Sequence, residues 1–507
     1  MSYKKMIFTG TLILTFSGFL SRILGFYNRI FLSKLIGAGE LGIYQLIMPV
    51  YMLCFTLVCH GFETGISNLT SKYRGQGDKK SIHRLIRFAC LLSLSLSFVL
   101  LLFLISGAGM LSRHLFHETS AASTLKIAAL ALPFVAIKSC LHGYYVGQNR
   151  SAVPAASQLV EQTARVGSIY LLSVTIYLYT ADARIAAWGM VIGEMVSAIY
   201  TLLAYFYTVH RETKRKLPLP SPTPSSAVLP SMIREFFHFS IPLTINHFSL
   251  TIISSLENML IPLMLLRRLG SRTLALETYG TLTGMALPFL FFPATIVNSL
   301  SVMLLPAISA SYKQKKMAQI QSTISKSLHY CIVIGIFSCF AFFLFGKSLG
   351  SLVFSNEQAG EYVHLFALLC PFLYVSQTIS SILNGFGCTR QTLFHNLLGM
   401  GIRILFILTA IPSLGIKGYL YGLLAGYSLQ ILLDISGVFR ITFFPFFPEK
   451  TLLIPAAFAF SCGWASRQLC QILLNQSFSP LFALFFSGSC YVLSFFLLQW
   501  IVERFTV

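Results

Sequence analysis

The chain has 507 residues, 55% of them hydrophobic and only 10% charged. A water-soluble domain carries about 25% charged residues, so the composition excludes a soluble globular protein and points to a polytopic membrane protein. A net charge of +21 would suit a nucleic-acid partner, but the basic residues fall in short loops between apolar stretches, which is the signature of membrane topology.

A spanning helix needs about 20 apolar residues. Fourteen such segments are expected, near 6–36, 43–69, 85–107, 124–147, 154–180, 184–208, 235–267, 277–310, 324–348, 361–386, 391–411, 416–440, 451–474 and 480–502. The fold class is therefore an all-α polytopic membrane protein. Lys4 and Lys5 precede an apolar run, but no small-residue cleavage site follows, so this run reads as the first spanning helix and not a leader. Lys72, Arg74, Lys79, Lys80, Arg84 and Arg87 fill one loop region, Arg211 to Lys216 a second, and Lys313, Lys315 and Lys316 a third. The alternate loops are poorer in Lys and Arg, which places the richer set and both termini in the cytoplasm of a multi-pass protein of the cell membrane. The Pro/Ser-rich stretch 211–232 reads as a cytoplasmic linker. It divides a six-helix bundle, 1–210, from a second six-helix bundle, 233–440, and residues 441–507 supply two more helices. Two comparable bundles fit a transporter built from parallel repeats.

On a helix of 3.6 residues per turn, Thr11, Thr15, Gly18, Arg22, Gly25 and Arg29 form one stripe, at steps of four and three. The remaining faces are apolar. A charge at membrane depth is costly unless it faces a protein interior or a wet cavity, so the stripe implies a cavity, and its two arginines imply an anionic cargo. In the fifth segment Ser157, Gln158, Glu161, Gln162, Arg165 and Ser168 share a face. Glu161 lies four residues before Arg165, the favourable order for an ion pair. In the seventh, Thr244, His247, Thr251, Ser254 and Asn258 form a stripe, with Glu257 beside it. Glu194 in the sixth segment and Arg403 in the eleventh are isolated intramembrane charges. Asp434, late in the twelfth, is expected to reach the inner interface.

The 11 cysteines are scattered, and neither a CxxC nor a Cys/His cluster is present, so no metal site is expected. No Walker loop, GxSxG or HExxH motif occurs, so no nucleotide, cofactor or hydrolytic chemistry is expected.

The run GTLILTFSGFLSRILGFYNRIFLSKLIGAGELGIYQL resembles the stage V sporulation protein B family. So do SQLVEQTAR at 157–165, YGTLTGMAL at 279–287, LLPAISASYKQKK at 304–316 and PSLGIKG at 412–418. These are fourteen-helix transporters of the multidrug/oligosaccharidyl-lipid/polysaccharide superfamily. The resemblance implies a flippase for undecaprenyl-diphosphate-linked sugars, foremost the peptidoglycan precursor lipid II. Ser21, Arg22, Leu24 and Gly25 match the Ser-Arg-x-Leu-Gly element that supplies a cavity arginine in the general lipid II flippases. Where those carry a second arginine followed by an aspartate, this chain has Asn28 and Arg29. Their charged residues early in the eighth helix are replaced by the uncharged run Thr281 to Pro288. Arg22, Arg29, Glu161, Arg165, Glu194 and Glu257 have counterparts in the sporulation-type proteins.

The expected function is thus a lipid-linked oligosaccharide flippase working by alternating access. Ser21, Arg22, Asn28 and Arg29 are its candidate substrate-binding residues. Gly18, Gly25, Glu161, Arg165, Glu194, His247, Glu257 and Arg403 are candidates for shaping or gating the cavity. A guanidinium suits a diphosphate because it offers planar, charge-assisted hydrogen bonds and stays protonated. Expected partners are the lipid-linked sugar and membrane lipids, with coupling to Na⁺, H⁺ or the membrane potential. The alternatives are a flippase for another lipid-linked polysaccharide unit and a cation-coupled multidrug exporter of the same superfamily. An enzyme is not expected: only 16 acidic residues exist and the outer loops are short.

Overall fold

A computed structural model describes the backbone of residues 3–175, 182–214 and 228–505, and side chains within 17–175, 182–211 and 230–504 apart from 503. Among the described residues all regular structure is helical. The first helix, α1 (Tyr3–Gly75), is two spans joined without a loop: Gly37 breaks it at φ 74° and ψ 176°, a backbone region that essentially only glycine occupies. Then follow α2 (Lys79–Met110), the short α3 (Ala121–Ala129) with α4 (Leu132–Gly147), α5 (Ala152–Thr175), α6 (Ala183–Lys214) and α7 (Val228–Leu269). Next, α8 (Arg272–Gly280) runs through a π-helical turn, Thr281–Ala286, into α9 (Leu287–Lys313). The chain continues with α10 (Met317–Phe354), α11 (Glu357–Phe366), α12 (Leu369–Gly385), α13 (Thr389–Leu414), α14 (Ile416–Phe439), α15 (Ile454–Asn475) and α16 (Pro480–Phe505).

Ten helices or continuous helix runs are long and apolar enough to cross a membrane, and the α11–α12 pair, bent by 55°, is an eleventh. Counting α1 twice and adding α5 and α15, of 24 and 22 residues, brings the passes among the described residues to fourteen. The fold is an all-α polytopic membrane protein. Its apolar side chains turn outward where a soluble protein would place charge: Leu91, Leu102 and Phe103 on α2 and Phe485 and Leu493 on α16 are exposed, a surface suited to hydrocarbon.

Packing groups the described residues into two compact units, one ending at Met259 and the other beginning at Leu260. The Pro/Ser-rich stretch 211–232 precedes this boundary. Within that stretch, 215–227 lies outside the described residues. In the first unit, Ile66, Leu69, Leu85, Ile86, Tyr144, Tyr145 and Phe236 form a core joining α1, α2, α4 and the start of α7. There α1 and α7 meet through small residues: a Cβ on Gly61 or Gly65 would overlap Thr244 or Ser240. Thr56 and Thr251 hydroxyls are 3.2 Å apart, and Ser255 Oγ donates to the Pro49 carbonyl at 3.1 Å. In the second unit, Ile308, Ile324, Ile379, Ile382 and Val438 form a core between α9, α10, α12 and α14. The last two helices join this unit through Phe345, Cys462 and Tyr491.

Candidate functional site

The polar face of α5 is the centre of the first unit's chemistry. Glu161 precedes Arg165 by one helical turn, and Arg165 Nη2 donates to Glu161 Oε1 at 2.7 Å. Two further helices complete the arrangement. Lys138 on α4 donates to Glu161 Oε2 at 2.9 Å and also to Glu194 Oε2 on α6. Glu194 Oε1 lies 3.8 Å from Arg165 Nη2. Two cations and two carboxylates thus alternate in a closed ring, and each side chain is at most 19% exposed. The ring carries no net charge, which makes it compatible with a low-dielectric surrounding; removing one member would strand a buried charge.

Glycines let these helices approach. A Cβ on Gly193 of α6 would sit 3.0 Å from the Glu161 carbonyl oxygen and 3.1 Å from Arg165 Cβ. Gly143 on α4 lies against the Glu63 backbone of α1. His142 Nε2 pairs with Ser157 Oγ at 2.7 Å, and Ser197 Oγ donates to the Ser157 carbonyl at 2.9 Å, which ties α4, α5 and α6 together beside the ring.

The first span of α1 lies along the same α5 face. Ser17 Oγ donates to the Ala155 carbonyl at 2.6 Å, and a Cβ on Gly25 would be 3.6 Å from Gln162 Oε1. Gly18 faces open space. Arg22 and Arg29 both expose their side chains, and neither has a carboxylate partner among the described residues. Arg29 is an electrostatic neighbour of Tyr44 and Arg165, and Tyr44 and Tyr51 in turn act on Arg165. Arg29, Tyr44 and Tyr51 thus all lie within electrostatic reach of the ring's Arg165 or of one another. Ser21 Oγ and Asn28 Oδ1 are covered and have no hydrogen-bond partner among the described residues. Of the polar stripe, Thr11 and Thr15 lie outside the described side chains.

Glu161, Arg165 and Glu194 are thus brought together, with Arg29, Asn28, Ser21, Gly25 and Gly18 on the helix alongside. His247 is not part of this group. It stacks on His60 at 4.7 Å between ring centroids, where α7 meets α1. Glu257 is buried further along α7. Arg403 belongs to the second unit, buried on α13 with its guanidinium 5.0 Å from the Tyr427 ring centre. Sequence reasoning missed Lys138. The signal was available: a single lysine in the middle of an otherwise apolar span is functional by default. It also misplaced Asp434. That side chain is fully buried inside the protein and binds His395 Nδ1 at 2.7 Å and Ser380 Oγ at 2.5 Å. Partners on α12 and α13 hold it inside, and spacing along α14 alone could not reveal them.

The family model described as polysaccharide biosynthesis protein matches residues 7–267, and the MatE model matches 249–409. Stage V sporulation protein B of Bacillus subtilis (strain 168) is 26% identical, over 93% of this chain and 90% of that protein. Among solved structures, the lipid II flippase MurJ in an inward closed conformation aligns with a TM-score of 0.70 at 15% identity, over 97% of this chain and 99% of that one. A multidrug resistance MATE family transporter of the MOP superfamily, in an inward-facing conformation, aligns with a TM-score of 0.64 at 16% identity, over 83% of this chain and 94% of that one.

Proposed function

We propose, from the premise that this chain belongs to the polysaccharide biosynthesis protein family and is a membrane transporter and not an enzyme, that it flips an undecaprenyl-diphosphate-linked sugar across the cell membrane. Lipid II, for peptidoglycan or spore cortex, is the cargo we favour. The observation that carries this reading is the contrast along α5: a charge-balanced ring beside two exposed arginines that lack acidic partners among the described residues. Surplus positive charge on one helix face calls for an anion, and the fork of a guanidinium fits the paired oxygens of a diphosphate.

In this reading Arg22 and Arg29 hold the diphosphate, and the Ser21 hydroxyl and the Asn28 side-chain N–H donate to its remaining oxygens. Glu161, Arg165, Glu194 and Lys138 form the wall behind it, while the lipid tail stays in the bilayer. His247, Glu257 and Arg403 serve conformational change. Residues 1–210 and 233–440 act as the two moving bundles, joined by the cytoplasmic linker 211–232. The remaining two helices are accessory, and both termini are cytoplasmic. The MatE match supports a second reading, a cation-coupled exporter of organic cations.

The test is reconstitution of the purified protein into liposomes with labelled lipid II, another undecaprenyl-diphosphate sugar, or a cationic dye. Flipping of a diphosphate-linked lipid that fails with Arg22→Ala is the expected result. Dye transport without lipid flipping would replace this reading with the second one.

A further inference from the structure

The second unit contains a buried polar cluster that cargo binding does not use. Asp434 on α14 is 0% exposed and His395 on α13 is 6% exposed. Their contact, His395 Nδ1 to Asp434 Oδ1, is 2.7 Å long. Ser380 on α12 donates to Asp434 Oδ2 at 2.5 Å and accepts from Gln430 Nε2 of α14 at 3.2 Å. One carboxylate therefore ties three helices together through an imidazole and a hydroxyl.

The charge count sets this cluster apart from the ring in the first unit. There two cations balance two acids. Here, among the described residues, His395 is the one titratable group within ion-pair distance of the Asp434 carboxylate. On α13, Arg403 is eight residues from His395, roughly 12 Å along the helix at about 1.5 Å per residue, and it lies against Tyr427. Arg390 and Arg440, at the helix ends, are exposed. The partner on α12 is the uncharged Ser380. On α9 and α10, which pack against α12, Lys313 and Lys326 are exposed and His329 is half-buried. Neutral imidazole and ionised carboxylate together leave one buried negative charge. One added proton, on either group, makes the pair neutral overall. Burial strongly favours the neutral total.

We propose that His395 and Asp434 form a proton-binding site whose occupancy fastens α12, α13 and α14 together, and that loading and unloading this proton drives the transport cycle. Proton binding stands on the geometry alone; the coupling rests on the transporter reading above. Asp434 is five residues from the end of α14, about 7 Å by helical rise, so the proton enters from the membrane face that carries Arg390 and Arg440. With the proton gone, the bare charge draws water and separates the three helices. With the proton bound, the contacts described here close.

The first measurement needs no cargo. Potentiometric titration of the purified full-length protein between pH 8 and pH 5 is compared with that of His395→Gln/Asp434→Asn. Wild type takes up about one more proton per molecule, because a pair sharing one proton titrates as a unit. Equal uptake, whether the pair is permanently protonated or permanently empty, overturns the proposal. Ser380→Ala keeps both titrating groups and covers the case in which the double variant fails to fold. Losing the hydroxyl that stabilises the carboxylate moves the uptake to higher pH, and an unchanged uptake curve counts against the site. The second measurement is flipping of labelled lipid II by proteoliposomes with and without an imposed pH gradient. Wild type responds several-fold, and Asp434→Asn flips at one rate under both conditions. A gradient response that survives in Asp434→Asn ends the coupling claim. Absence of flipping in wild type ends the cargo reading and leaves the proton count standing.

Discussion

Lys138 and Glu161 meet at 2.9 Å although they come from different helices, and Glu161 uses its other oxygen for Arg165, one turn further along its own helix. The same lysine holds Glu194. Four charges thus depend on one another, and the unit's stability follows their sum.

Single neutralisations should be costly and matched pairs mild. Lys138→Met, Glu161→Gln or Arg165→Gln each leaves an odd buried charge, for an expected loss of about 3–5 kcal/mol. Glu161→Gln with Arg165→Gln leaves Lys138 paired with Glu194, and should cost less than the two singles added together. Thermal unfolding of the detergent-purified protein reads this. Strict additivity would mean the four do not act as a unit.

Arg22 should matter for transport and not for folding. Arg22→Ala should abolish flipping at normal protein level. Arg22→Lys should keep part of it, since an ammonium retains the charge but loses the bidentate fork. Flipping per folded molecule is the measurement. Full activity of Arg22→Ala removes the arginine from the proposed site.

Glycines on the two sides of α5 should respond in opposite ways. Gly193→Ala places a methyl 3.0 Å from the Glu161 carbonyl and should destabilise by about 1–3 kcal/mol through overpacking. At Gly18 nothing lies within 4 Å of the added Cβ, so Gly18→Ala should be neutral or stabilising by about 0.5–1 kcal/mol. Gly25→Leu should fold and lose transport, because its side chain fills the space facing Gln162. Melting temperatures and flipping rates of the three variants check this together.

Asp78 gives a pH signature outside the membrane. Its carboxylate caps α2, accepting from Ser81 N at 3.0 Å and from Ser81 Oγ at 2.5 Å. Burial pushes the carboxyl up, but these bonds, the Lys80 amide and Arg84 outweigh it and hold it below the usual carboxylate range. A depressed folded-state value adds stability that is complete above the unfolded value of about 3.9 and fades as the pH falls through the folded one. Asp78→Ala should cost about 1 kcal/mol at neutral pH. Asp78→Asn should keep the cap and lose this part of the acid sensitivity. Unfolding midpoints at pH 7 and pH 3 decide it.

Topology is open to direct labelling. In a background cleared of native cysteines, Gln76→Cys and Gln314→Cys should resist an impermeant thiol reagent in intact cells, and Gln358→Cys should react. The reverse pattern would invert the membrane orientation.

Much of the fold was legible because membrane spans announce themselves locally: twenty apolar residues are their own evidence. The stripe of Ser157, Glu161 and Arg165 was legible for the same reason, since helical periodicity places those residues on one face without reference to any neighbour. Lys138 and Glu194 were not joined to it beforehand, because their meeting depends on how α4 and α6 are set against α5, which Gly143 and Gly193 allow but do not announce. His395 and Asp434 are 39 residues apart in sequence. Nothing local separates an aspartate that emerges at an interface from one that is closed over by two other helices.

The break at Gly37 has an evolutionary consequence. Two membrane spans turn into one another at a single residue in a conformation costing a side chain of about 1–3 kcal/mol of strain. Other connections in this chain can drift in length and composition over generations, since a loop absorbs an insertion. This corner has no slack to absorb one. Every substitution there strains the backbone, and any added residue would rotate the arginine-bearing span by about 100° relative to the next, turning Ser17 and Gly25 away from α5. A lineage can rewrite most of its loops and still transport; position 37 gives selection almost nothing to vary.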